Sequence, residues 1–509
     1  MDETLTIRTE QINDLPLLMG IIEEMGIRRV IDAQIRPHGG WQGISVGTVV
    51  SIWLSHLLIE RDHRLVVVRD WAAARTQTLQ DLLGVVLRPT DLTDDRLANV
   101  LTMLSAPEDQ AAMDEALVAD WLRVYALPRE TVRLDSTSVS VYQDAAPPEG
   151  LIRYGVSKEH RPDLAQFKVM LASLDPLGLP LACQTVAGNE ADDLLYRPAY
   201  DAAMRTLDTR AVLVVGDSKM AARATRAHIV AGGSTYLCAY RPAIAPAEIA
   251  GWITAALAAP EQWQELRAVD ERTGEITTLA VIHEWERPQQ DGETTWTERV
   301  LVNRSAQVQA GLRRKRERAL ARVAERLAVL ARPPQQGRRG FATRADLEAT
   351  VAALLSTEHL EGVVWVQPAE ATRRDGTACW IVGSFGVDLG ACQAMVDRLG
   401  WQVYLTNTTT AQYAAPALVR AYRQQVIQER GFARLKTRNL HIRPLYLSDE
   451  RRIAGLTWLL CLALRVLTLT EYRLRTALQQ RRETLTGLNP AARTQATAQP
   501  TTERVLAAF

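Results

Sequence analysis

Three acidic residues from distant parts of the chain have the types and predicted positions to act together on a metal ion. Asp135 lies inside a β-branched stretch predicted to be a strand, and Asp217 ends a short apolar strand. Glu429 lies on a helix predicted over 415–436. Central strands disfavour aspartate, so each aspartate there needs a reason. Carboxylate oxygens are the ligands that hard divalent cations prefer, and two such cations clamp the attacking and leaving oxygens in phosphoryl transfer.

Each of these residues also has an ordinary structural interpretation. An aspartate at the end of a strand often caps the loop that follows, and this alternative applies to Asp217. A glutamate on an amphipathic helix is often paired with an arginine, which is the alternative for Glu429. The position of Asp135 inside a strand is harder to explain in this way. Taken together, three carboxylates from separate segments favour a metal site.

The predicted helix over 415–436 places several polar side chains on one stripe. Tyr422, Glu429 and Lys436 are seven residues apart, which is nearly two helical turns, and Gln425 lies on the same side. Apolar rows flank this stripe and predict that Glu429 is partly buried. A buried carboxylate must be paired, protonated or bound to a metal. Lys436 is placed to neutralise a phosphate one heptad further along.

Composition restricts the class of protein. The 509 residues are 47% hydrophobic and 23% charged, which is ordinary for globular proteins, and the formal net charge is zero. Nucleic-acid binding must therefore come from local basic patches. The five cysteines form no CxxC pair, so neither a disulfide framework nor a zinc site is indicated, and a reducing cytosol fits. The N-terminus lacks an apolar signal core and residues 456–464 are too few to cross a membrane, so we expect a cytoplasmic protein with no membrane partner.

The predicted order of elements indicates a mixed α/β sheet with an insertion. Residues 1–127 have helical apolar spacing and are predicted to form a helical N-terminal domain, which is a candidate for DNA binding. In 128–240 three strands joined as hairpins are followed by helix, strand, helix and strand. The insertion over 241–405 contains a hairpin and a long basic helix, and the core resumes over 406–484. The Thr-, Ala- and Gln-rich tail over 485–509 is predicted to be loose.

These motifs resemble those of bacterial insertion-sequence transposases of the DDE type. The stretches LDSTSVSV and VVGDSKM, which contain the two aspartates, are similar to the aspartate motifs of that family. The spacing of Tyr422, Glu429 and Lys436 is similar to the signature of the insertion-sequence-four superfamily, which is Tyr, two residues, Arg, three residues, Glu, six residues and Lys. Gln425 departs from it by taking the place of the arginine. The N-terminal region resembles the leading domain of the insertion-sequence-sixteen-thirty-four group.

The resemblance implies a fold and an activity. It implies a ribonuclease-H-like mixed sheet core with a β-containing insertion between the second aspartate and the glutamate, preceded by a helical N-terminal domain. Such enzymes cut DNA at terminal inverted repeats and join the 3′-OH to target DNA. Asp135, Asp217 and Glu429 would be the catalytic residues and would hold two Mg²⁺ or Mn²⁺ ions. The implied partners are double-stranded DNA and further copies of the chain, as a homodimer or a larger synaptic complex in a bacterial nucleoid.

Basic and aromatic residues outside the acidic triad are candidates for DNA contact. Some lie on the predicted 415–436 helix, some in a basic loop before the second strand, and some on the predicted 307–330 helix. For the loop a solvated turn is the alternative, and for the long helix a solvated face is, because glutamates interleave with its arginines. A further basic loop spans 337–344. The candidates are Tyr422, Gln425, Lys436, Lys158, Arg161, Arg313, Arg314 and Arg316.

Two other functions stay open at this stage. One is a metal-dependent nuclease on the same core without strand transfer. The other is a DNA-binding repressor that descends from a transposase and has no catalytic activity. The three-carboxylate set argues against the repressor, because buried acids without a metal serve no purpose there.

Overall fold

The computed structural model describes residues 9–143, 149–270, 273–332, 340–489, 491–492 and 494–509. These residues fall into two compact units. The first contains the residues up to Cys238 together with Pro288–Thr297 and Tyr422–Phe509, and the second contains Ala239–Arg287 and Glu298–Ala421. The sequence analysis places a domain boundary at residue 127. In the structure, the helices before this boundary belong to the same unit as the strands that position the two aspartates.

The first unit begins with a set of helices packed around one buried member. That member has the sequence VGTVVSIWLSHLLIE, in which the single carboxylate is the last residue, so nearly every side chain can be buried. Its N-terminus is capped by Ser45, whose hydroxyl accepts from the amide of Thr48. The helices are α1 (Leu15–Glu24), α2 (Ile27–Gln34), α3 (Val46–Glu60), α4 (Leu65–Ala73), α5 (Thr76–Leu83), α6 (Asp94–Met103) and α7 (Pro107–Val124).

A mixed sheet follows in the same unit, as the sequence predicts. Its strands are β1 (Thr131–Val141), β2 (Ala165–Leu174), β3 (Leu179–Ala187), β4 (Leu213–Gly216) and β5 (Thr235–Tyr240), with α8 (Tyr196–Leu207) and α9 (Arg223–Ala231) between them. The strand order is β3-β2-β1-β4-β5. The pairs β3–β2 and β2–β1 are antiparallel, whereas β1–β4 and β4–β5 are parallel. The parallel pairs arise because helices provide the crossovers between these strands.

The second unit supplies the predicted insertion between the strands and the C-terminal helices. Four strands are hydrogen-bonded in the order β11-β8-β7-β6, and two others form a separate antiparallel pair. The strands are β6 (Gln264–Val269), β7 (Ile276–Asp291), β8 (Thr294–Ser305), β9 (Val364–Thr372), β10 (Ala378–Val387) and β11 (Trp401–Thr406). The helices are α10 (Pro246–Ala258), α11 (Ala306–Leu330), α12 (Arg344–Glu358) and α13 (Leu389–Asp397). One face of α11 packs on α12 through Val323 and Leu327, which leaves the basic face of α11 outside this core.

The C-terminal part of the chain contains a long core helix and a docked tail. The helices are α14 (Ala415–Arg423), α15 (Val426–Ala433), α16 (Glu450–Arg481) and α17 (Thr502–Leu506), and a π-helical turn spans Arg434–Arg438. By length and composition α16 is apolar enough to cross a membrane, but 89% of its apolar stretch is buried inside the protein, as in a core helix. The tail is not loose as predicted, because Thr502 is buried and donates to the carbonyl of Leu467, while Glu503 pairs with Arg434 at 2.6 Å.

A buried ion pair joins α16 to α7. The Arg465 side chain is 0% exposed, and its Nη1 lies 2.5 Å from Oδ1 of Asp114, which is 5% exposed. Trp458 also donates its indole N–H to this carboxylate at 2.9 Å. The remaining guanidinium donors reach the carbonyls of Pro180 and Leu181 on β3. One charged cluster thus ties two helices to the sheet.

Candidate active site

The register of β1 and β4 brings Asp135 and Asp217 together. The strands are parallel neighbours, and Leu134 pairs with Gly216. Asp135 and Asp217 directly follow this pair, so the two aspartates stand at the same level. Neighbouring strands are about 4.8 Å apart. The two negative charges therefore repel each other, and Asp217 disfavours the ionisation of Asp135.

The environment of Asp135 disfavours its ionised form. Burial, together with the negative charge of Asp217, raises the pKa of Asp135 to about 6, although the nearby ammonium of Lys158 opposes this. The side chain is 24% exposed, so solvent still reaches it. The backbone N–H of Ser136 donates to its Oδ1 at 2.8 Å and fixes its orientation. The carboxylate is thus held within β1, a central strand of the sheet, with too little positive charge around it.

Asp217 is held by two donors. The hydroxyl of Tyr196 donates to Oδ1 at 2.6 Å, and the backbone N–H of Lys219 donates to the same oxygen at 2.8 Å. Tyr196 is 1% exposed, and burial and the charge of Asp217 raise its pKa well above the usual value. The phenol therefore keeps its proton and remains a donor. The second oxygen of Asp217 is outside these two bonds, so the side chain can still act as a ligand.

A third carboxylate, Asp192, lies beside this pair and is shared between two lysines. Its Oδ1 is 2.7 Å from the ammonium of Lys168, and its Oδ2 is 3.5 Å from that of Lys158. Lys158 also lies 3.9 Å from Oδ1 of Asp135. Asp192 starts the 3₁₀ turn before α8 and is not among the predicted site residues. The available signal was Lys168, the single charged residue in the buried strand AQFKVMLASL, which needs a buried partner.

The helix predicted over 415–436 is broken, and this moves Glu429. The chain leaves the α-helix at Gln424 and Gln425, where amide-to-carbonyl bonds span three residues, such as Gln428 to Gln425 at 3.0 Å. A three-residue turn advances about 120° per residue instead of about 100°. Positions after the break therefore leave the heptad stripe. Gln428 is 3% exposed and Glu429 is exposed, so the predicted partial burial of Glu429 is wrong.

Contacts with the sheet explain where α15 lies. Gly178 ends the turn between β2 and β3 with φ of +74°, and a Cβ there would lie 2.8 Å from Cγ2 of Ile427. Phe432, one turn after Gln428, is also buried. In the part of the chain that the structure describes, no three His, Cys, Asp or Glu side chains are close enough to hold a metal ion. The structure thus brings Asp135 and Asp217 together but does not bring Glu429 to them.

The pair Asp135 and Asp217 nevertheless suits a divalent cation. Both side chains offer oxygen ligands just past the last residue pair of the parallel strands β1 and β4, and such oxygens are what Mg²⁺ and Mn²⁺ bind. Two lysines, Lys158 and Lys168, face the three carboxylates of Asp135, Asp217 and Asp192, so the negative charge is not balanced. A divalent cation would supply that balance. The donor set therefore fits one such ion, with Glu429 outside it.

Lys436, a candidate for DNA contact, is engaged within the protein. Its ammonium lies 2.7 Å from Oε1 of Glu159, and both side chains are 13% exposed. Oε2 of Glu159 accepts from Arg443 at 2.5 Å and from Ser140 at 2.8 Å. Burial would raise the pKa of Glu159, but these donors, Lys436 first, hold it below its usual value. The other two candidates of this region are Tyr422, which is buried, and Gln425, which is half-buried at the start of α15.

The remaining candidates for DNA contact are closer to solvent. Arg161 is 44% exposed and pairs with Asp163 at 2.6 Å. On α11, Arg313 pairs with Glu317 one turn later at 3.0 Å. Arg314 is also exposed, whereas Arg316 is half-buried and donates to the carbonyl of Glu358. In the predicted basic loop, residues 337–339 lie outside the described residues.

Two family models match separate parts of the chain. Residues 127–466 match the family described as Transposase DDE domain, and residues 7–116 match a family described as a domain of unknown function. No curated protein matches the chain. Among solved structures, the chain is similar to a piggyBac transposase in a synaptic complex with hairpin DNA. It is 9% identical, with a TM-score of 0.34 over 96% of this chain and 79% of that one.

The family match extends over more than half of the chain and includes β1, β4 and the paired aspartates as well as α15 and about the first half of α16. The protein therefore belongs to the DDE transposase family. The helices before β1 lie in the other match, which has no described function.

Proposed function

We propose that this protein is a DNA transposase that cuts insertion-sequence ends at terminal inverted repeats and joins the 3′-OH to target DNA. The pairing of Asp135 with Asp217 across β1 and β4, within a chain of the DDE family, is the observation that carries the proposal. The order of elements in the first unit supports a ribonuclease-H-like core. The spacing of Tyr422, Glu429 and Lys436 supports the insertion-sequence-four superfamily, and the N-terminal helices support the insertion-sequence-sixteen-thirty-four group.

Asp135 and Asp217 are the proposed ligands of a divalent metal, Mg²⁺ or Mn²⁺. When bound, such ions activate a water or a 3′-OH and stabilise the leaving oxygen. Tyr196 holds Asp217 in place through its hydroxyl. We propose Glu429 as the third catalytic carboxylate, completing a two-ion site after α15 has moved. The break at Gln424 and Gln425 is the place where the backbone can change direction.

The proposed DNA-contacting residues keep the roles suggested by their positions. The exposed arginines of α11 suit sequence-independent contacts with phosphates. Lys436 would have to share its ammonium between Glu159 and a phosphate. The proposed working form is a homodimer or a larger synaptic complex on double-stranded DNA in the bacterial cytoplasm. The full set is Tyr422, Gln425, Lys436, Lys158, Arg161, Arg313, Arg314 and Arg316.

We expect strand cleavage to depend on Mg²⁺ or Mn²⁺. The full chain is incubated with labelled duplexes that carry the inverted repeats flanking its coding sequence, together with a supercoiled target plasmid. Cleavage that leaves a 3′-OH and joined products on gels are expected with either metal, and neither is expected in EDTA. Cleavage without joining would indicate the nuclease alternative. Full activity in EDTA would contradict the metal site.

Replacing Arg313, Arg314 and Arg316 together with glutamine is expected to weaken DNA binding for every sequence. Each lost phosphate contact should reduce the slope of log K against log salt by about one. Binding is measured by fluorescence anisotropy over a range of salt concentrations. The control is Arg69→Gln on α4, an exposed arginine beside Asp70, which should leave the affinity and the slope unchanged. An unchanged slope in the triple variant would mean that α11 presents only a solvated face.

A further inference from the structure

Lys158 has an unusual position for a basic loop residue, because its ammonium lies within the acidic site. The ammonium donates to the backbone carbonyl of Ser136 at 2.7 Å and to the Ser136 hydroxyl at 2.8 Å. It also lies 3.9 Å from Oδ1 of Asp135 and 3.5 Å from Oδ2 of Asp192. The side chain is 32% exposed, so solvent and ions reach it. It is thus placed like a bound cation beside Asp135 and Ser136 on β1.

We propose that Lys158 is the resident counter-ion of the catalytic carboxylates and that a divalent cation must compete with it for Asp135. This inference rests on the proposed function, because it concerns the same metal site. In the metal-free protein the ammonium reduces the repulsion between Asp135 and Asp217. When a divalent cation binds Asp135, the ammonium keeps its partners Ser136 and Asp192. Lys158 therefore acts through Asp135 as a positioning residue. Its ammonium lowers the affinity of the DNA-free protein for a divalent cation.

The surroundings show that this arrangement is built into the fold. The hydroxyl of Ser157 accepts from the amides of Glu159 and Arg161, which shapes the loop around Lys158. The next residue, Glu159, is anchored by Lys436 and Arg443. The loop is therefore fixed on both sides of Lys158, and these contacts direct the Lys158 side chain to Ser136 on β1.

Asp192 completes the arrangement from the other side. One of its oxygens is held by Lys168, which is 5% exposed and also donates to the carbonyl of Glu190. The other oxygen faces Lys158. Because Lys168 neutralises part of the charge of Asp192, Asp192 attracts Lys158 less strongly than a free carboxylate would. The ammonium of Lys158 is thus held, but by contacts weak enough to allow a divalent cation to take its place at Asp135.

The test measures binding of Mn²⁺ alone, without DNA, to the full chain by isothermal titration calorimetry. Lys158→Met keeps most of the length of the side chain and removes its charge, so it should bind Mn²⁺ about tenfold more tightly than the parent. Without metal the same variant should melt at a lower temperature, and Mn²⁺ should narrow this difference. Lys158→Arg keeps the charge and should bind like the parent. Arg69→Gln on α4, an exposed arginine beside Asp70, is the control and should leave the affinity for Mn²⁺ unchanged.

Two outcomes would overturn the inference in different ways. If Lys158→Met binds Mn²⁺ as the parent does or more weakly, while Asp135→Asn abolishes binding, the metal site stands and the counter-ion role is wrong. A lower melting temperature with unchanged affinity leads to the same conclusion, since a merely structural lysine would behave in that way. If Asp135→Asn binds Mn²⁺ like the parent, or if no form of the protein binds Mn²⁺, the proposed metal site is wrong. The proposed competition between Lys158 and the cation is then wrong as well.

Discussion

Asp135→Asn is expected to reduce cleavage of end DNA by about a thousandfold or more, without loss of the fold. The change keeps the shape of the side chain but removes a metal-ligating charge that is worth several kcal/mol in the transition state. Stability should not fall. Burial raises the pKa of Asp135 to about 6, so the folded protein binds this proton more tightly than the unfolded chain does. Stability is therefore lost as the pH rises from the ordinary aspartate pKa to about 6, and a neutral amide avoids that cost.

The measurement combines single-turnover cleavage in Mg²⁺ with thermal melting in EDTA at pH 7.5. Asp163→Asn is the matched control, because Asp163 is 59% exposed and pairs only with Arg161 among the ion pairs described for it. It should cleave at the parent rate. An Asp135→Asn variant that cleaves at the parent rate would remove the basis for the proposed site. One that is inactive but melts far below the parent would assign Asp135 a structural role.

Glu429→Gln provides a second arm of the same experiment. Glu429 is exposed on α15, so the substitution should leave stability unchanged, and loss of cleavage would then require that α15 brings this side chain to the aspartates. The comparison is Asp397→Asn at the end of α13, which should cleave like the parent. If Glu429→Gln cleaves normally, the third ligand is another group, supplied by the protein or by the DNA.

The sequence predicts the paired aspartates well, because the information is local. Polar residues inside or at the end of β-branched apolar runs are conspicuous, and the alternation of strands and helices limits how the strands can pair. The parallel pairing of β1 with β4 then places Asp135 level with Asp217. Neither step depends on a contact between distant side chains. The register itself comes from packing on both faces of the sheet, which no single stretch of sequence specifies.

The parts that sequence reasoning missed depend on tertiary contacts. Nothing in the pair Gln424 and Gln425 breaks a helix by itself, since neither residue is glycine or proline. At the break, Ile427 packs against Gly178 and Gln428 becomes buried. Gly178 is far from Ile427 in sequence, so the local sequence does not reveal this contact. The contact of Lys158 with Asp192 has the same origin. In the tail, a polar composition predicts disorder, but Thr502 and Glu503 find specific partners that composition cannot indicate.

Asp114→Ala is expected to destabilise the protein by about 3–5 kcal/mol. The substitution leaves the guanidinium of Arg465 fully buried with no carboxylate beside it, and it removes the acceptor of the indole N–H of Trp458. An uncompensated buried charge costs far more than the loss of an exposed pair. The free energy of unfolding is measured by urea denaturation followed by tryptophan fluorescence and by circular dichroism.

The control on the same helix is Asp120→Ala, which removes an ion pair with Arg29 whose side chains are 67% and 36% exposed. It should cost less than about 1 kcal/mol. Combining Asp114→Ala with Arg465→Met should cost less than the sum of the two single changes, because the second removes the charge that the first leaves unpaired. Additive costs would mean that the two residues do not interact. Since this cluster ties α7 and α16 to β3, and β3 supports β2 and then β1, a genuine coupling would identify it as part of the framework that holds the strand carrying Asp135.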